Sequence, residues 1–299
     1  MPELPEVESL RQSLLPQVEG QVVQSIEVKE PKIVAGRGQQ RTVTSEKART
    51  FEQQLSGERI VDIQRKAKQL IIIFSSGKHI LVHLKMTGQL VYVANTADTP
   101  IWGGHPIELT EQTLPHKHTH IIFYLENGRL MYNDVRKFGY VLYYQNNDAL
   151  EQTGIFEDLG WEPLSDAFTE EAFCSRIAQT RKAIKTVFME GNIVTGLGNI
   201  YADEVCFRAG IQPGRAANSL SAEECSNLYY AIRTIISRAI EMGGSSVANY
   251  ILADGRRGTY AREHKVYNRA GKACYVCGTT LHKTLISNRT TVFCPQCQQ

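Results

Sequence analysis

The chain has 299 residues, of which 42% are hydrophobic and 21% charged, and its formal net charge is +2. That length suits roughly two domains with a real core, in an ordinary soluble globular composition. No apolar run approaches the ~18 residues of a membrane span, and no basic-then-apolar leader opens the chain. With so small a net charge, any nucleic-acid site must be carried by local clusters.

The chain opens Met1-Pro2-Glu3-Leu4-Pro5-Glu6-Val7-Glu8. Loss of Met1 would make Pro2 a terminal secondary amine. Such an amine titrates near ~7.7–8, well below lysine, so much of it is neutral and nucleophilic at physiological pH. Three carboxylates, Glu3, Glu6 and Glu8, follow within two helical turns, and adjacent carboxylates can act as general acid and base. The same segment also reads as a plain helix start. Pro5 suits a first turn, the acids complement the helix dipole, and Val7, Leu10 and Leu14 give a core-facing stripe.

Residues 20–145 are β-rich. Strands are expected at 22–28, 59–63, 69–74, 79–84, 89–93, 120–125 and 140–144, separated by turn signals. Glu126-Asn127-Gly128-Arg129 marks a hairpin, and strands at this spacing suggest a sandwich. The aperiodic stretch 94–116 reads as a long loop, and 148–164 as a linker. Helical periodicity follows at 168–179, 183–190, 199–209 and 222–242, and Gly243-Gly244-Ser245-Ser246 stops the last helix.

The chain closes on Cys274-x2-Cys277 and Cys294-x2-Cys297, sixteen residues apart. Four thiolates at this spacing can enclose one tetrahedral zinc. A closed set of four leaves no open position for chemistry. Two disulfides are the alternative, disfavoured in a reducing compartment. The segment 279–293 between the pairs is expected to form a hairpin, with Arg289 near its middle.

Taken in order, these blocks resemble the formamidopyrimidine-DNA glycosylase family. The resemblance rests on Pro2-Glu3, Arg65-Lys66-Ala67-Lys68, His83-Leu84-Lys85-Met86-Thr87-Gly88, Asn133-Asp134-Val135-Arg136-Lys137-Phe138-Gly139, Gly196-Leu197-Gly198-Asn199-Ile200-Tyr201 and the four-cysteine ribbon with Arg289. It spans nearly the whole chain.

The fold it implies is α+β multidomain: an N-terminal β-sandwich with an N-terminal helix, a helix–two-turns–helix domain, and a C-terminal zinc ribbon. The expected divisions are 1–147, a linker 148–165, 166–262 with a loop covering the flipped base, and 263–299. The implied function is excision of oxidised purines from DNA with cleavage of the abasic site. Pro2 would be the nucleophile, assisted by Glu3, Glu6 and Lys68.

The resemblance also implies that Met86, Arg136 and Phe138 fill the vacated base stack. His83, His118, Lys137, Lys185, Asn199, Tyr201 and Arg289 would be the remaining DNA contacts. One structural Zn2+ and no catalytic metal or redox cofactor are expected. The partner would be damaged double-stranded DNA, with no membrane, for a monomer in the cytoplasm or on the nucleoid.

There are departures from the family pattern. Lys137 stands where the family has a second Arg, and Ser245-Ser246-Val247-Ala248-Asn249-Tyr250 replaces the usual wording before the covering loop. Leu4 after Glu3 leans away from the sister endonuclease VIII branch. Two competing readings follow: an endonuclease VIII-like enzyme for oxidised pyrimidines, and a non-catalytic zinc-ribbon protein that binds damaged DNA.

Overall fold

The computed structural model describes residues 1–38, 41–96, 100–104, 114–245 and 258–299, with backbone only at 101–102. Most of the expected covering loop, at 246–257, and parts of the expected loop 94–116 lie outside the described residues. The rest divides into two compact units. The first comprises 1–2, 6–155 and 243–258, and the second 3–5, 156–242 and 259–299.

The first unit is a β-sandwich. Strands β1 (Val23–Val28), β7 (Thr119–Leu125), β8 (Gly128–Asp134), β5 (Gly88–Ala94) and β6 (Ile101–Gly104) form one antiparallel sheet in that order. The other holds β2 (Ile60–Lys66), β3 (Gln69–Phe74), β4 (His79–His83) and β9 (Tyr140–Tyr144). One core joins them, with Ile26, Phe123 and Tyr132 from the first sheet and Ile63, Ile72 and Val82 from the second. The unbroken apolar run of β3 is the pattern of a strand buried on both faces. The Asn127-Gly128 signal closes the β7–β8 hairpin, where Leu125 pairs with Gly128.

Helix α1 (Leu4–Val18) lays Val7, Leu10, Leu14 and Val18 into this core, each at most 2% exposed. Each such burial is worth roughly 1.5–3 kcal/mol. Gly103 is required where β6 meets the helix, since a Cβ there would lie 1.9 Å from Leu10 Cδ1.

Three elements depart from the sequence expectation. Helix α2 (Ser45–Leu55) falls where none is expected. It is capped by the Thr44 side chain and buries Ala48, Phe51 and Leu55. Strand β6 lies inside the stretch expected to be loop, because pairing with β5 supplies the order its sequence lacks. The short α3 (Asn147–Glu151), capped by Asn146, lies in the expected linker.

The second unit packs α4 (Glu170–Ile177), α5 (Ile184–Glu190), α6 (Asn199–Ala209) and α7 (Ala222–Glu241) around Phe173, Phe188, Tyr201 and Ile232. A Ser221–Glu224 capping box starts α7, satisfying two otherwise orphaned N–H groups reciprocally. The hairpin β10 (His282–Ile286) and β11 (Arg289–Phe293) carries the cysteine module. Among the described residues no helix is long and apolar enough to cross a membrane.

Candidate active site and nucleic-acid interface

The Gly-Leu-Gly segment before α6 explains its own glycines. Gly196 has φ +88°, and a Cβ there would lie 2.4 Å from Leu4 Cδ1; at Gly198 it would lie 2.5 Å from Glu3 Cδ. Both glycines therefore admit the N-terminal segment, and Leu4 N–H donates to the Gly196 carbonyl at 3.0 Å. Helix α6 has no side-chain cap of its own at Gly198. Glu3 supplies it from 195 residues away, accepting N–H groups from Gly198 (2.6 Å), Ile200 (3.0 Å) and Tyr201 (3.4 Å). A carboxylate is well placed there against both the orphan donors and the dipole. Glu3 is 3% exposed, and these bonds fix the orientation of its carboxylate.

Glu6 is held in a similar way within the first unit. Its Oε1 accepts Ser245 N–H at 2.6 Å. A Cβ at Gly244, whose φ is +81°, would lie 2.7 Å from that oxygen. The Gly-Gly-Ser break after α7 thus leaves room for a buried carboxylate.

Lys68 lies in the β2–β3 turn beside Ala67, which takes φ +54°. Arg65 reinforces that turn. Its Nε meets Glu8 Oε2 at 3.0 Å and one terminal nitrogen donates to Ala67 O. His83 is buried at the end of β4, and its Nδ1 accepts Lys85 N–H at 3.1 Å. Burial holds its pKa well below the ordinary imidazole value, with Lys85 and Lys68 adding repulsion. Lys85 is itself lowered by burial and by Arg37, and its ammonium lies 5.9 Å from the Tyr140 ring centroid. Lys68, Lys85 and Arg37 thus make a local basic cluster that a net charge of +2 hides. Arg37 and Lys85 were not singled out from sequence; Lys85 occupies the variable position of its block.

Met86, Arg136 and Phe138 sit on exposed connections, β4–β5 for the first and β8–β9 for the other two. Met86 is 40% and Phe138 48% exposed. The Arg136 guanidinium stacks 4.5 Å from the Phe138 ring centroid. The Lys137 ammonium is part-exposed and paired with Glu30. His118 is part-exposed, ahead of β7, with its ring against that of His116.

In the second unit a cavity of about 590 Å³ is lined by Asn199, Tyr267, Lys283 and Arg289, among others. The tip of the β10–β11 hairpin and the start of α6 thus share one polar concavity. Asn199 hydrogen-bonds Tyr267, and its Oδ1 is buried without a hydrogen-bond partner. Tyr267 was missed in the sequence, where nothing marks it apart from other tyrosines.

Lys185 and Tyr201 depart from the expectation of DNA contacts. Lys185 is 1% exposed; its Nζ lies 2.6 Å from Asp203 Oδ1 and donates to the Thr290 carbonyl at 3.0 Å. An ammonium so enclosed ties helix to hairpin and does not face a phosphate. Tyr201 is fully buried, with its ring 5.6 Å from that of Tyr260.

The four cysteines of the module converge, every Sγ within 4.8 Å of the others. Cys274 and Cys297 are 3.9 Å apart and Cys277 and Cys294 3.4 Å. A disulfide would need ~2.05 Å. Four thiolates around one ion with ~2.3 Å bonds stand roughly 3.8 Å apart, so the set fits a tetrahedral metal. Thr279 hydrogen bonds lower the Cys277 thiol to about 6. His282 is exposed, outside the cluster.

Residues 1–141 match the formamidopyrimidine-DNA glycosylase N-terminal domain, and residues 159–250 the formamidopyrimidine-DNA glycosylase H2TH domain. A formamidopyrimidine-DNA glycosylase of Desulfitobacterium hafniense is 36% identical over 298 residues, covering all of both chains. The structure is similar to the Lactococcus lactis Fpg in complex with abasic-site DNA, with a TM-score of 0.84, 32% identity and 99% of each chain covered. It is also similar to the wild-type Lactococcus lactis Fpg in complex with DNA containing an oxidised pyrimidine, with a TM-score of 0.83, 32% identity and all of each chain covered. The fold and these matches define a DNA glycosylase of base excision repair. The chain belongs to the formamidopyrimidine-DNA glycosylase family.

Proposed function

We propose that this protein excises oxidised purines, 8-oxoguanine and formamidopyrimidines, and then cleaves the abasic strand. With Met1 removed, the Pro2 nitrogen attacks C1′ of the damaged nucleotide. The C1′–base bond breaks and the base leaves with a proton; the C1′–O4′ bond then opens, O4′ taking a proton, and C1′ is left as an iminium ion on Pro2. β-Elimination and then δ-elimination release the two flanking phosphates. Glu3 and Glu6 hold and move the protons of this sequence, and Lys68 contacts the lesion or its phosphate. The observation that carries the reading is Glu3: a buried carboxylate next to the terminal proline, oriented by three backbone N–H groups at the α6 N-terminus.

The DNA is damaged double-stranded DNA, bound by a monomer in the cytoplasm or on the nucleoid. Met86, Arg136 and Phe138 enter the stack that the flipped base leaves. Asn199, Tyr267 and Arg289 take a backbone phosphate at the polar concavity; contacts of this kind position the duplex without reading its sequence. His118 adds a further DNA contact. The cysteine set holds one Zn2+, which shapes the hairpin bearing Arg289.

A second reading, excision of oxidised pyrimidines, is favoured by the similar Lactococcus lactis complex with such a lesion. Borohydride trapping on a duplex with one 8-oxoguanine, followed by peptide mapping, tests both. An adduct on Pro2, lost in Pro2→Gly, supports the proposal. No adduct from protein proven to lack Met1 overturns it, and an adduct only with oxidised pyrimidine moves the enzyme to the second reading.

A further inference from the structure

Large apolar side chains held in water tend to fold back onto the protein, so an exposed Met86 and Phe138 need a fixed backbone beneath them. One buried carboxylate reaches both connections. Asp134, fully buried at the end of β8, takes the Thr87 hydroxyl on Oδ1. The same oxygen accepts Arg136 N–H at 3.1 Å, and Oδ2 accepts Gly139 N–H at 2.8 Å. Thr87 Oγ1 also accepts Arg136 N–H at 3.1 Å.

Thr87 follows Met86 in the chain, and Arg136 and Gly139 bracket Phe138. The carboxylate therefore joins two connections that lie 47 residues apart, from Thr87 to Asp134. Its own backbone is tied down: its N–H donates to His118 O at 3.0 Å, and its carbonyl accepts from His120 Nε2 at 2.7 Å.

The second connection is supported from below as well. Arg41 donates to the carbonyls of Lys137 and Gly139 at 3.3 and 3.0 Å, and the Lys137 ammonium rests on Glu30. A Cβ at Gly139 would lie 1.9 Å from Tyr132 Oη, so the chain passes directly over the buried face. Its two oxygens suit this work because between them they accept from the Thr87 hydroxyl and from two backbone N–H groups.

We infer that Asp134 is a positioning residue that sets the two wedge-bearing connections before DNA arrives. This rests on the reading of Met86, Arg136 and Phe138 as the groups that fill the stack. Ordering the connections in advance removes an ordering cost from the binding step. Asp134→Asn breaks the arrangement whichever way the amide turns, because its NH2 must then face the backbone N–H of Arg136 or that of Gly139. Thr87→Val removes a single hydroxyl at nearly constant volume.

The test uses the full chain and a duplex with 8-oxoguanine next to 2-aminopurine, whose fluorescence rises on unstacking. Phe138→Ala serves as the control for the wedge itself. Displacement on the order of 1 Å costs up to about a hundredfold in rate. Both Asp134→Asn and Thr87→Val should slow the fluorescence rise and lesion excision by the same factor, roughly tenfold or more. Cleavage of a preformed abasic site should fall by a clearly smaller factor. If Asp134→Asn does not fold, Thr87→Val decides. Wild-type unstacking kinetics in a folded variant would overturn the inference, as would an equal loss on both substrates. If Phe138→Ala leaves unstacking unchanged, the wedge reading itself falls.

Discussion

Replacing Lys185 by Met should destabilise the helical unit and loosen the hairpin that bears Arg289. Lys185 and Asp203 are each 1% exposed and pair at 2.6 Å. Both also reach β11, through the Thr290 carbonyl and the Val292 N–H. Removing the lysine strands a carboxylate in the interior. Breaking a buried pair in this way costs about 3–5 kcal/mol, a large share of the roughly 5–15 kcal/mol that holds a domain together. Replacing both partners, Lys185→Met with Asp203→Leu, removes the stranded charge and should recover about half of that loss or more.

The loss should also depend on pH with a definite sign. Burial lifts the Asp203 carboxyl from 3.8 to about 6, against the pull of Lys185. Between those values the folded state keeps a proton that the unfolded chain releases, so this group's contribution falls as pH rises through the window. Without Lys185 the folded value moves higher still, so the deficit of Lys185→Met is greatest at neutral pH and narrows on acidification. Urea unfolding of the single and double variants at pH 7.5 and 5 measures it. A single-variant loss below about 1 kcal/mol, or a double variant no more stable than the single, would refute the reasoning.

The other predictions test neighbouring parts of the molecule. Gly198→Ala places a Cβ 2.5 Å from Glu3 Cδ; excision should fall at least about tenfold with only a modest shift in melting temperature, and a wild-type kcat would mean that Glu3 need not sit where the cap holds it. Cys294→Ser removes one of four converging thiolates; metal analysis should show loss of the proposed zinc and titration a weaker grip on DNA, whereas unchanged metal content and affinity would exclude the ribbon from the interface. His264 is buried and its pKa lowered to about 4, so the unfolded chain takes up a proton below about 6.5 that the folded one refuses. Stability should drop by up to about 3 kcal/mol as pH falls across that interval, and His264→Gln, compared by denaturant titration, should flatten the slope there.

What the sequence made legible follows from how far apart the interacting residues are. The α1 stripe, the Asn127-Gly128 turn and the cysteine pairs carry their signals within a few positions, whereas the full fold class comes from the family resemblance. Helix α2 carries Ala48, Phe51 and Leu55 at helical spacing, but charged residues dilute so short a stripe. Strand β6 has no local signal because its reason for existing is β5 on one side and Leu10 against Gly103.

The same distinction governs the site. The family resemblance makes Lys185 a phosphate contact; its burial against Asp203, eighteen residues on, is not marked by anything near it in the sequence. Lys137 keeps the charge of the arginine it replaces, yet that charge is claimed by Glu30, more than a hundred residues upstream. Glu3 looks like a catalytic carboxylate in isolation, and only the fold reveals that it also caps a helix. The cap is compatible with the role proposed for Glu3, because backbone N–H groups fix the orientation of its carboxylate. A residue that merely caps α6 would tolerate Glu3→Gln, since an amide oxygen still accepts those bonds. A residue that moves protons at Pro2 would not.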